Sequence, residues 1–516
     1  MVQPPEIAAK PPSEWRLVAL MAAGLTLARL IGLFATPLEL YPDEAQYWLW
    51  SRTLDWGYYS KPPMIAWTIW STTALGGNEE AFVRLAAPLC HGIILMAVYA
   101  IGRRLYGAAS GLAAALLYGL MPAVQLSGLV IATDSLMLVF LSLGLLAYVE
   151  LPQSEGRRRL GFAAGLGAAM GLGFLSKYAA IYGLMGIGLH LLSSREARKV
   201  WDLKTIALAV GTFFLVLAPN LAWNAAHGFS TVQHTAANAA WGGRQLFNFG
   251  HLGSFIASQF GVFGPVPMAV LIGGTIWLAR SRSLSRQDIL LLCFCLPAFL
   301  IVTTQAFISR ANANWSAAGY VAGAVLVGAW LVRWKANRWL WGTVALQGLL
   351  ALVFLACVIR PPVAETLGLA NAFKRAKGWE QMTEVIIERL ERERYRGIDA
   401  VAVNDRFLFN AMAYYGRDIF IQPDAPPLRM WVREAHPQNQ AETTDPLTQK
   451  EGKRVLLASL EQVYRDEMAR DFAATSGSEI VSIRLDHKRK RRVELMIGDG
   501  FLPRPRDPVT GLPTPP

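Results

Sequence analysis

Two adjacent carboxylates, Asp43 and Glu44, open the stretch YPDEAQYWLWSRTLDWGYYSKPPMIAW at residues 41–67, which also holds Tyr58, Tyr59 and Lys61. A carboxylate at a water interface can take the proton of a hydroxyl, and a nearby cation can hold an anion such as a phosphate. Further polar side chains stand at the edges of apolar runs: Asp134 in IATDSLML, Lys177 in FLSKYAA, Asn220 in APNLAWN, and Arg310 with Asn312 and Asn314 in SRANANW. His227 and His234 follow the Asn220 run. Ionisable groups at membrane depth are expensive unless they pair or serve a site. Together these residues describe a cavity of mixed charge at one face. A phosphate on a lipid is a good leaving group, so moving a sugar off it needs a base and cationic stabilisation more than a general acid.

The elements that must position these groups are membrane spans. The chain of 516 residues is 53% hydrophobic and 17% charged, with a mean hydropathy of +0.31, more apolar surface than a soluble protein can bury. An α-helical polytopic membrane protein follows. A polar tail at 1–14 precedes about eleven spans, at 15–36, 80–102, 108–128, 131–150, 160–176, 178–193, 204–222, 254–279, 288–307, 313–332 and 339–358. Arg29 interrupts the first of them, as a cation that snorkels outward or as a structural partner for Asp43 and Glu44. Basic clusters at Arg103–Arg104, Arg157 to Arg159, Arg195 to Lys199, Arg280 to Arg286 and Arg333 to Arg338 fall on alternate loops. The positive-inside rule makes that side cytoplasmic, which gathers the first loop (37–79), Asp134, Lys177, Arg310 and everything after Arg360 on the outer face.

Structural readings stand beside the chemical ones. Asp43 and Glu44 suit the first turn of a helix over AQYWLWSR, and Lys61-Pro62-Pro63 suits a stiff turn into the next one. Trp48, Trp50, Trp56, Trp67 and Trp70 suit an aromatic belt on two interfacial helices. Cys90, Cys293, Cys295 and Cys357 all lie in or beside apolar runs, which argues against a disulfide framework or thiolate metal site. His227 and His234 are seven apart without a convincing third ligand, so neither a metal nor another cofactor is expected. The net charge of +12 follows topology, not a nucleic-acid surface.

After Pro361–Pro362 a soluble domain at 361–500 begins. Met382, Val385, Ile386 and Leu390 repeat at helical spacing, and the runs AVAVND, KRVLLASL, EIVSIRL and RRVELMIG predict a small α/β layer closed by an antiparallel pair. The run HKRKRR at 487–492 reads as a solvated turn or as an attractor of anionic headgroups. The proline-rich tail at 501–516 reads as disordered. No nucleotide-binding glycine fingerprint is visible in the domain.

The run YPDEAQYWLW, then YYSKPPMIAW with its lysine about seventeen residues after the acidic pair, then the span entry at Arg84 and the exit GRRLYG, resembles the GT-C membrane glycosyltransferases. The branch it resembles contains the bacterial relatives of protein O-mannosyltransferases and the aminoarabinose lipid A transferases, over residues 15–360. The resemblance implies that Asp43 is the catalytic carboxylate with Glu44 its neighbour, and that Lys61 meets the donor phosphate in a pocket lined by Tyr58 or Tyr59. Asp134 is similar to the second acidic residue at a span end, Lys177 to the lysine of a GFLxK-type segment, and Arg310 to a further phosphate contact. Where aminoarabinose transferases carry Glu before the Lys-Pro-Pro lysine and a basic residue three positions after the aspartate, this chain has Ser60 and Gln46. That departure argues against an aminoarabinose donor.

The function expected is transfer of a sugar from a polyprenyl-phosphate donor to an envelope lipid, polysaccharide or protein, with inversion, at the outer face of a bacterial inner membrane. The alternatives are a lipid-linked glycan transporter and a non-catalytic glycan-assembly protein. A transporter more often shows repeat halves with charge at the midplane.

Overall fold

A computed structural model of the chain describes residues 13–237, 246–393, 397–420, 422, 425–508 and 510–514. The tail expected at 1–14 lies almost wholly outside the described residues. The chain packs as two compact units. One holds Met1–Phe34, Pro62–Ile65 and Arg84–Leu355; the other holds Ala35–Lys61, Ala66–Val83 and Ala356–Pro516.

Among the described residues, seven helices are long and apolar enough to cross a membrane: Ser13–Ala35, Glu80–Tyr106, Thr133–Gln153, Gly156–Ser176, Leu203–Ala226, Arg286–Ile308 and Asn337–Ile359. Ala108–Gly119, Tyr178–Ser193 and Ala318–Arg333 are shorter apolar helices. Two expected spans are broken. The run at 254–279 becomes Phe249–Phe263 and Pro265–Arg280, bent by 113°. Gly264 between them has φ +99°, a left-handed value that glycine tolerates, and Pro265 starts the next helix where its missing N–H is harmless. The run at 108–128 splits the same way, into Ala108–Gly119 and Pro122–Ser127, with Pro122 at the new start.

Helices in the first unit approach closely through small residues. A Cβ added at Gly167 would sit 2.0 Å from the Ala209 carbonyl oxygen, so Gly156–Ser176 and Leu203–Ala226 pack backbone to backbone there. Two buried charged side chains inside this unit are held by hydrogen bonds. Arg29 is 4% exposed and donates to the Gly119 carbonyl at 2.8 Å and to Gln125 at 3.4 Å. Those bonds, rather than snorkelling or an acidic partner, are what hold it. Asp288 is fully buried and accepts from Arg333 at 2.8 and 3.0 Å, Trp330 Nε1 at 3.0 Å and the Tyr106 hydroxyl at 2.8 Å. That carboxylate pins three helices together, a use of Arg333 beyond topology.

The second unit is an α/β layer. Its strands are β1 (Ala400–Val403), β2 (Leu428–Met430), β3 (Arg454–Ser459), β4 (Phe472–Arg484) and β5 (Lys490–Phe501), in the order β2-β1-β3-β5-β4. β1 is parallel to β2 and β3, while β5 runs antiparallel to β3 and β4. The amphipathic helix Trp379–Glu393 buries Met382, Ile386 and Leu390 in the main core, as the helical spacing predicts.

The loop after the first helix folds into this same unit. Glu39 accepts from the backbone N–H groups of Gly378, at 2.8 Å, and Trp379, which caps the Trp379–Glu393 helix with a carboxylate. Leu49 packs against the core. Trp48 is 2% exposed, sits edge-on to Tyr414 at 4.9 Å and donates to Asn78 at 2.9 Å; Trp50 stacks on Tyr58 at 4.8 Å. These two tryptophans are core residues and not belt residues, because Tyr414 of the α/β domain packs on Trp48 and Tyr58 of the loop itself covers Trp50. Trp56 and Trp70 are about half exposed.

The tail is also folded where described. Arg504 and Arg506 both reach the fully buried Asp471, at 2.7 and 3.2 Å, and Gly511 O accepts from Ala435 N. Buried charge pairing, invisible in a proline-rich composition, replaces the expected disorder. The basic run forms the β4–β5 turn and the start of β5; Arg491 lies 3.6 Å from the Trp379 ring centroid and donates to the Lys377 and Lys374 carbonyls.

Candidate active site

In the first unit the structure brings Asp134 and Lys177 together. Asp134 stands in the first turn of Thr133–Glu150, where the helix N-terminus favours an acid. Lys177 follows Gly156–Ser176 in an extended conformation that ends that helix. Its ammonium donates to both carboxylate oxygens, at 2.8 and 2.9 Å, with the two side chains 22% and 15% exposed. Asn314 Nδ2 adds a bond to Asp134 at 3.2 Å. Next in chain, the Tyr178 hydroxyl donates to the buried Asn220 at 3.1 Å and accepts from Asn224 at 3.0 Å, which fixes the backbone beside Lys177.

Helix direction separates these groups from the basic clusters. Gly156–Ser176 begins with Arg157 to Arg159 and ends at Lys177; Arg286–Ile308 begins beside Arg286 and leads to Arg310. The Arg310 side chain is exposed, and Asn314 is the side chain from its segment that reaches Asp134. The signal for that choice is the irregular turn at Ser309 followed by a short 3-10 helix at Ala313–Ser316, which no pattern of residue types announces. His227 is exposed and stacks on Trp223 at 4.1 Å; the loop at 238–245 lies outside the described residues. Among the described residues no cluster of three His, Cys, Asp or Glu side chains is placed to hold a metal.

In the second unit, Pro42–Trp50 forms the helix that its residues predict, with Pro42 in the first position. The two acids then part. Glu44 is fully buried and accepts from the Tyr41 backbone N–H at 2.9 Å, which satisfies a donor at the helix start. Asp43, one residue earlier, is exposed. Lys61 is partly exposed, and its carbonyl accepts from Tyr58 N at 3.0 Å, closing the turn before Met64–Gly76.

Tyr58 is 4% exposed; its hydroxyl donates to the Trp50 and Thr53 carbonyls and accepts from Asp55 N. Burial pushes its phenol up to about 12, so it is a neutral hydrogen-bonding group. Tyr59 donates through its hydroxyl to the Pro437 carbonyl at 2.9 Å and through its backbone to Gln440 at 2.8 Å. Its phenol is raised by burial and then by the nearby Glu442 and Glu434. Both tyrosines therefore hold the loop's shape. Gln46 and Ser60, the positions that depart from the aminoarabinose pattern, are 5% and 7% exposed.

The fold matches the crystal structure of ArnT from Cupriavidus metallidurans in the apo state, with TM-score 0.64 and 17% identity over 93% of this chain and 97% of that one. It also matches ArnT from the same organism bound to undecaprenyl phosphate, with TM-score 0.66 and 16% identity over 98% and 100%. The family model for dolichyl-phosphate-mannose-protein mannosyltransferases matches residues 60–223. The lipid A galacturonosyltransferase RgtD of Rhizobium johnstonii is 34% identical over 400 residues, 77% of this chain and 82% of the relative. The chain belongs to the GT-C membrane glycosyltransferases. As a GT-C enzyme it is a multi-pass membrane protein that transfers sugars. The Lys-Pro-Pro segment falls at the very start of the region that the family model covers.

Proposed function

We propose that this enzyme transfers a sugar from a polyprenyl-phosphate donor to lipid A, or to the lipopolysaccharide it carries, at the periplasmic face of the bacterial inner membrane. The observation that carries the reading is the division within the acidic pair: Glu44 is buried in helix capping, and Asp43 is left open to solvent. In the reaction, an acceptor hydroxyl attacks the anomeric carbon and gives its proton to Asp43. The bond from that carbon to the phosphate oxygen breaks, its electron pair leaves with polyprenyl phosphate, and the anomeric configuration inverts. Lys61 stabilises the departing phosphate.

The relative's name supports a lipid A acceptor over a protein one, and the bound undecaprenyl phosphate of a protein of the same fold supports the donor. The experiment is incubation of the purified chain in lipid nanodiscs with lipid A and a membrane extract of polyprenyl-phosphate sugars. Product masses read the result. A new lipid A species heavier by one sugar unit supports the reading and names the sugar; unchanged lipid A beside a newly glycosylated protein overturns the acceptor.

A further inference from the structure

The second unit contains a cavity of about 430 Å³ that the reaction above does not use. Its size falls within the roughly 300–1,000 Å³ of small-molecule sites. The first loop forms one wall, with Gln46, Trp50 and Asp55, and the α/β domain forms the other, with Arg406 and Asn410.

Two of these side chains are unusual for their depth. Gln46 is 5% exposed and Asn410 is 3% exposed, yet among the described residues no hydrogen-bond partner engages either side-chain amide. Neither amide is sealed away from the cavity, so both open onto it and are placed to hydrogen-bond a ligand there. Arg406 is partly exposed, lies over the Phe407 ring at 4.7 Å, and its guanidinium pairs with no described carboxylate. The acids on the same walls are already engaged. Asp55 accepts from Trp56 N at 2.7 Å, and Asp445 accepts from Thr444 at 2.6 Å and lies 3.6 Å from Arg429. Gln46 stands one turn after Asp43 on the same helix, so it shares a face with the proposed base.

We propose that this cavity binds an acidic sugar, with its hydroxyls held by Gln46 and Asn410 and its anionic group, a carboxylate or a phosphate, held by Arg406. Amides that donate and accept at once suit vicinal hydroxyls, and the planar guanidinium suits a two-oxygen anion. Assigning the sugar to the acceptor rests on the proposed transfer reaction; the binding itself does not. A site there presents a hydroxyl of the bound glycan toward the helix face that carries Asp43, and it gives the α/β domain a part in choosing the acceptor.

The test titrates methyl galacturonoside, glucose 1-phosphate and methyl galactoside into the full chain in nanodiscs, followed by saturation-transfer NMR. The expected result is that at least one acidic probe binds about tenfold more tightly than methyl galactoside and that Arg406→Gln removes this preference. Asn410→Ala weakens all three probes about tenfold. The carboxylate or the phosphate source is named by whichever acidic probe is tighter. Equal binding of acidic and neutral probes, or a preference that survives Arg406→Gln, overturns the proposal; because Arg406 is partly exposed, its variant is informative even if Asn410→Ala unfolds. Acidic-sugar binding without any sugar transfer would overturn the proposed function and leave this site standing. Transfer without binding of the probes would do the reverse.

Discussion

Two carboxylate sites in this molecule begin from the same sequence signal, an acid in the first turn of a helix, and end differently. At Thr133–Glu150, Asp134 is matched by Lys177 and Asn314, so its charge is compensated by side chains from two other segments. At Pro42–Trp50 the chain supplies two acids in a row and uses them unequally: Glu44 is sealed into the protein, and Asp43 faces water. The first arrangement fixes a cation at a helix end. The second leaves a carboxylate open to solvent. A carboxylate sealed from solvent is out of reach of a substrate hydroxyl and an exposed one is not, so the division of labour between neighbours is itself the chemical information.

Breaking the open site is expected to have the largest effect. Asp43→Asn should lower transfer about 10²- to 10⁴-fold, seen as a fall in kcat with little change in thermal unfolding, since the side chain touches solvent. Glu44→Ala should show the opposite pattern. Loss of its bond to Tyr41 N is expected to destabilise the protein by about 0.5–2 kcal/mol, measured by chemical unfolding, with kcat per folded molecule falling much less than in Asp43→Asn. If both variants lose activity equally at full stability, the contrast between the two acids is gone.

The paired site makes a smaller, sharper prediction. A double-mutant cycle with Asp134→Ala and Lys177→Ala should show a coupling of about 0.5–3 kcal/mol, because each single change leaves a half-buried charge without its partner. A cycle that sums to zero would mean that the 2.8 Å contact contributes nothing to stability.

The smallest effect concerns pH. The Arg433 guanidinium holds the Glu467 carboxyl below its ordinary value of 4.5, and Arg429 does the same for Glu451. For a carboxyl lowered on folding, the stabilisation is present above about pH 4.5 and is lost as pH falls through the lower folded value. Glu442 runs the other way: burial raises it, so its folded form holds a proton longer and stability falls as pH rises through its folded value. Glu467→Gln should therefore flatten the acid limb of the stability profile, and Glu442→Gln should remove loss on the rising side. Unfolding midpoints from pH 3 to 7 would check both (roughly the range in which carboxyls titrate).

How much of this was legible beforehand follows from what each signal depends on. Apolar length and the Met382, Ile386 and Leu390 spacing are local properties, and they locate the long apolar helices and the helix packed on the α/β layer. The Gly264-Pro265 break was equally local, yet a window of mean hydropathy runs straight across it. The acidic pair and Lys61 were visible as types at a spacing, but which acid stays open depends on helix register and on what packs beside Tyr41 and Glu44. Partners far apart in sequence were the least visible. Glu39 capping Trp379, Trp48 against Tyr414 and Arg504 on Asp471 each join segments whose proximity no short stretch encodes.

The account's central claim is tested most directly by following the donor lipid. Purified protein in nanodiscs would be given lipid A and a polyprenyl-phosphate sugar, and released polyprenyl phosphate and glycosylated lipid A would be counted in one reaction. The prediction is that the two appear in equal amounts with the native chain and that neither appears above background with Asp43→Asn. Equal formation of both products by Asp43→Asn at the native rate would contradict it.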